Sequence, residues 1–211
     1  MPKCVALHDR RLEGGVPNRP NLTIINTDEH SCIQKAFVEI NAVARSGKIH
    51  TLFVLCHGYT GVEVDALNRS DDDAGSWGLE LGKDDLDLSS VSNWKAIADA
   101  AENIVVYSCS AADTQPGFEG TWADGFRLMA TLALYTGATV FAADQSQEYE
   151  TFKDLKNGCF EFGEWEGTLW QFPPDASPPK AVLEAPIEFD DFMNGICKTP
   201  THEEEAASQC R

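Results

Sequence analysis

Residues 51–58 read TLFVLCHG and residues 103–109 read NIVVYSC. Each is an unbroken apolar run that stops at a chemically reactive residue, His57 in the first and Cys109 in the second. Runs of this length, bounded by turn-forming residues, are the pattern of strands buried on both faces, as in a parallel sheet. Residues 22–26 (LTIIN) and 138–143 (ATVFAA) repeat it. Helical patterns lie between the strands. Residues 31–45 place Ile33, Phe37, Ile40 and Val43 on one face, with Gly47 as a stop. Residues 93–101 turn Trp94, Ile97 and Ala98 inward behind a Ser92 cap, and residues 122–135 end at Gly137. Strands alternating with helices predict an α/β fold, a three-layer α/β/α sandwich on a mostly parallel central sheet.

The remaining segments fill in around this core. Residues 1–20, rich in Gly, Pro and Arg, read as an irregular lead-in. Residues 77–81 (WGLEL) predict a small strand, and residues 158–162 and 168–172 flank a Gly-containing turn and predict a hairpin. One domain is expected over residues 1–172, its core at 22–172. A Pro-, Ala- and Glu-rich tail follows over 173–211, mobile except where 186–197 has enough apolar residues to dock.

The chain has 211 residues, 43% hydrophobic and 24% charged, which suits one globular domain with a substantial core. It has no apolar run of the roughly 18 residues a membrane helix requires, and no apolar signal segment at its start, so no membrane contact is expected and a cytoplasmic location is. Thirty-four acids against sixteen bases leave a formal charge of −18. Phosphate backbones demand a basic surface, so nucleic acid is excluded as a partner and basic partners or substrates are favoured. Seven cysteines at 4, 32, 56, 109, 159, 197 and 210 include no Cys-x-x-Cys pair, and reduced thiols are expected.

The chemistry gathers where two strands end. In an open parallel sheet the strand-to-helix loops collect beyond the carboxyl ends of the strands. If the two quoted strands are neighbours, His57 and Cys109 emerge on one edge about 4.8 Å apart. A thiolate is the nucleophile, and an adjacent imidazole takes its proton or stabilises it as an ion pair. Gly58 leaves the site uncrowded and its N–H free for an oxyanion, with the Cys109 N–H as the second donor. Cys56, inside its strand, reads as a small buried hydrophobe.

The order apolar strand, His57-Gly58, apolar strand, Cys109, with the two reactive residues 52 positions apart, resembles the caspase-like cysteine peptidase superfamily. It is most similar to bacterial CHAT-like and related caspase-like domains, in which segments like residues 78–82 (GLELG), 105–112 (VVYSCSAA) and 137–144 (GATVFAAD) follow in this order. The resemblance covers residues 22–172. It implies a cysteine endopeptidase with a His57–Cys109 dyad, acting on a protein or peptide substrate chosen by an S1 pocket. The caspase Gln-Ala-Cys-x-Gly run is replaced here by Tyr107-Ser108-Cys109-Ser110-Ala111. Asp144, at the end of the next strand, is the candidate pocket floor, and an acidic floor favours Arg or Lys. Two other readings use the same residues: a non-catalytic interaction domain and a thiol amidase acting on a small molecule.

No cofactor is expected. The five histidines lack zinc-ligand spacing, although the acidic stretch around Asp65 and Asp71, Asp72 and Asp73 offers oxygen ligands for Ca²⁺. Residues 59–76 follow His57, and 145–157, with Lys153 and Lys156, follow Asp144. Loops so placed are expected to restrain activity until cleavage or a regulatory protein partner engages them.

Overall fold

The apolar runs become the middle of a seven-stranded sheet. The computed structural model describes residues 2–59, 77–151 and 160–194. In chain order its elements are β1 (Cys4–Asp9), β2 (Leu22–Thr27), helix α1 (Ile33–Ala44), β3 (Ile49–Leu55), β4 (Gly58–Tyr59), β5 (Gly78–Leu79), a 3₁₀ helix (Val91–Ile97) and β6 (Ala101–Tyr107). Helix α2 (Gly125–Thr136), β7 (Thr139–Ala143), β8 (Glu150–Thr151), β9 (Phe160–Glu161), β10 (Leu169–Phe172), β11 (Lys180–Val182) and α3 (Phe189–Asn194) follow. The main sheet runs β11-β10-β7-β6-β3-β1-β2. Its pairings from β2 to β7 are parallel, and β10 and β11 add antiparallel strands at one side. The α/β class with a mostly parallel sheet is the one the sequence predicts.

Alternation along the strands divides the core in two. Leu52, Val54, Ile104, Val106, Val140 and Ala142 point to the face covered by α1, the 3₁₀ helix and α2. Phe53, Leu55, Val105, Tyr107 and Phe141 point to the other face, where α3 supplies Phe189, Phe192 and Met193. On α1 the buried residues are Ile33, Ala36, Phe37 and Ile40, the i, i+3, i+4, i+7 stripe of an amphipathic helix. Asp124 caps α2 by accepting the Arg127 N–H at 2.9 Å, and Gly137, with φ 67°, closes it in the left-handed region.

Four expectations are corrected. The lead-in holds β1, a wholly buried strand between β2 and β3. Its polar end hid it: the buried Asp9 is paid for by Arg11, Thr27 and the Gly82 N–H, of which the last two lie far along the chain. The segment around Trp94 is a 3₁₀ helix whose buried residues, Val91, Trp94 and Ile97, recur every third position, which leaves Ala98 exposed and Ser92 inside the helix instead of capping it. The hairpin does not form. β10 pairs with β7, and β9 pairs with β8. After Phe172, Lys180–Val182 add β11 to the sheet where a mobile tail was expected, while α3 packs beneath the sheet within the 186–197 stretch expected to dock. The acidic stretch carrying the Ca²⁺ expectation, and Lys153 and Lys156, lie outside the described residues.

Candidate active site

β3 and β6 are hydrogen-bonded neighbours in parallel register, with Leu55 opposite Tyr107. Two residues further along each chain, His57 comes level with Cys109. Gly58 then passes so close to the Cys109 backbone that a Cβ there would stand 2.1 Å from the Cys109 carbonyl oxygen. The His57 carbonyl is held from the other side by the Glu80 N–H at 2.8 Å. Beyond Cys109 the chain turns sharply through Ser110, whose φ of 51° is uncommon for a residue with a side chain. The Ser110 N–H is used by the Gln145 carbonyl at 2.9 Å, whereas the Cys109 N–H has no backbone acceptor among the described residues.

His57 and Cys109 line one narrow cleft together with Leu12, Gln147, Tyr149 and Phe162. Its volume is about 10 Å³, the room one water needs. The Cys109 thiol donates to the Gln147 main-chain oxygen at 3.7 Å, and the Tyr149 ring sits 6.4 Å from the His57 ring. Burial raises the Tyr149 phenol's pKa, and the nearby Cys109 and Glu13 raise it further. Among the described residues no carboxylate hydrogen-bonds His57. Cys56 is buried, and burial pushes its thiol far above the ordinary range.

Asp144 stands elsewhere. Its two carboxylate oxygens accept the Thr168 N–H at 2.8 Å and the Trp170 indole N–H at 2.9 Å, fastening β10 to the end of β7. It does not line the cleft, and its charge is engaged in structure. Acidity lies instead along a groove of about 580 Å³ that shares Tyr149 and Phe162 with the cleft. Glu148, Glu161, Glu164 and Glu166 line that groove, with no basic residue among its described lining. The Glu-rich run at 161–166 was a sequence signal for it. Nothing in the sequence marked Gln147, whose main-chain oxygen meets the Cys109 thiol.

Among the described residues no group of three His, Cys, Asp or Glu side chains is placed to hold a metal ion, and no helix is long and apolar enough to cross a membrane. No protein-family model, curated protein or solved structure matches the chain.

Proposed function

We propose that the chain is a cysteine hydrolase of the caspase-like kind that cleaves peptide bonds with His57 and Cys109. The close passage of Gly58 against the Cys109 carbonyl carries the reading, because it brings general base and nucleophile together on one cleft. His57 takes the Cys109 proton and the sulfur attacks the peptide carbonyl. The oxyanion meets the N–H groups of Gly58 and Cys109. His57 then protonates the leaving amine, and water, deprotonated by the same imidazole, releases the acyl group and restores the thiol.

The four glutamates of the adjoining groove support a preference for basic residues near the scissile bond. The free thiols at Cys4, Cys32, Cys56 and Cys109 suit a reducing, cytoplasmic setting. The test is turnover of a basic reporter-peptide library with labelling by an electrophilic peptide. Cys109→Ala and His57→Ala are expected to abolish both while Cys56→Ala retains them. A folded wild type whose Cys109 reacts with no peptide electrophile overturns the hydrolase in favour of an interaction domain, and labelling without peptide cleavage favours an amidase.

A further inference from the structure

The thiol of Cys109 is bonded to the backbone of the segment that follows β7. That segment also places Tyr149 against His57, and Tyr149 reaches Phe162 on the far wall at 6.0 Å between ring centroids. One short stretch thus touches both members of the dyad and narrows the space between them to about 10 Å³. An acyl group of a peptide is several times larger, so it has no place beside the sulfur while this stretch stays where it is.

The stretch is fastened chiefly by one side chain. The Gln147 amide nitrogen donates to the Gln145 and Glu166 carbonyls, both at 2.9 Å, and its oxygen accepts the Glu166 N–H at 3.3 Å. The Glu148 N–H donates to the Glu166 carboxylate at 2.8 Å. Gln147 is buried and satisfied only in this arrangement. Apart from the Ser110 N–H bond to the Gln145 carbonyl at its start, these bonds bridge to the 163–167 turn or lie within the stretch itself, so lifting the strap breaks no ladder of the main sheet.

We propose that residues 145–149 are a closing strap over the dyad, latched by Gln147 onto Glu166, and that substrate reaches Cys109 only when the latch is released. The catalytic meaning of the gate rests on the hydrolase reading above, whereas the closure itself does not. Gln147 is in this sense a positioning residue.

The experiment measures alkylation of Cys109 in the full chain by a small reagent, iodoacetamide, and by a bulky pyrene maleimide, with peptide mass spectrometry assigning the site and Cys32 as internal standard. In the wild type, Cys109 is expected to react far more slowly with the bulky reagent than Cys32 does. Gln147→Ala removes three hydrogen bonds, and loss of this many is expected to raise the bulky-reagent rate at Cys109 by about 10-fold or more, shrinking the gap between the two reagents. Glu166→Ala, which removes only the bond from Glu148, raises it less and serves where Gln147→Ala does not fold. Bulky-reagent rates unchanged in folded variants, or a wild-type Cys109 as reactive as Cys32, overturn the gate. An opened Cys109 that still cleaves no peptide leaves the gate standing and removes the hydrolase.

Discussion

Gly58→Ala is the most direct probe of the site's geometry. The added Cβ would lie 2.1 Å from the Cys109 carbonyl oxygen, 3.1 Å from its carbon and 3.2 Å from the Ser108 hydroxyl. Real contacts do not fall below 3.0 Å, so the two strand ends must part by about 0.9 Å. The clashing atoms are backbone, and no side-chain rotation relieves them. Overpacking of this kind costs about 1–3 kcal/mol of stability. A displacement near 1 Å between general base, oxyanion donor and nucleophile lowers turnover by roughly 10²-fold. Urea unfolding followed by tryptophan fluorescence reads the first effect, and kcat/KM on a reporter peptide, beside labelling of Cys109, reads the second. A variant as stable and as reactive as the wild type would show that Gly58 does not sit against Cys109, and the dyad geometry would fall with it.

Two other outcomes follow from the polar network. Asp144→Ala is expected to leave the Thr168 N–H and the Trp170 indole N–H without their acceptor, costing about 1–3 kcal/mol in urea unfolding while substrate preference stays as it was. A lost preference for basic residues without loss of stability would restore Asp144 to the substrate site. Burial raises the Asp9 carboxyl's pKa, but hydrogen bonds from Arg11 and the Gly82 N–H outweigh it and hold the group below its ordinary 3.8. Ionised Asp9 therefore stabilises the fold above that value, and the contribution drains away as pH falls through 3.8 and below. Asp9→Asn is expected to cost on the order of 3 kcal/mol near neutrality and to flatten the acid limb of the stability curve, and an unchanged limb would count against the network.

What the sequence revealed divides along a physical line. β3, β6 and β7 were legible because a strand buried on both faces writes its burial into consecutive residues. α1 was legible from its apolar stripe, and His57 and Cys109 from their place at strand ends. β1 is just as buried, but its last residue, Asp9, is satisfied by Arg11 close by and by Thr27 and Gly82 far along the chain. The register of β10 was hidden for the same reason: it pairs with β7, and the carboxylate of Asp144, some two dozen residues away, holds its start. Cleft residues were the hardest to read. A main-chain oxygen such as that of Gln147 has no residue type, and its position depends on the whole fold.

The reach of distant segments bears on Cys109 itself. Tyr107 lies two residues before Cys109, and its hydroxyl donates to the Glu188 carboxylate at 2.7 Å while accepting the Phe189 N–H at 2.9 Å. Glu188 also accepts the Trp165 indole N–H at 2.7 Å and the Ala185 N–H at 2.9 Å, and the Trp165 ring stacks on Tyr107 at 4.4 Å. One carboxylate therefore ties together the end of β6, the 163–167 turn and the start of α3. The same turn carries Glu166, onto which the strap over Cys109 is latched. The strand that leads to Cys109 and the latch over that residue thus share one anchorage. Because packed elements shift between discrete arrangements and do not deform smoothly, an event that moves the 163–167 turn acts on both at once. A substrate or partner seated in the glutamate-lined groove, which includes this turn, is placed to drive that movement.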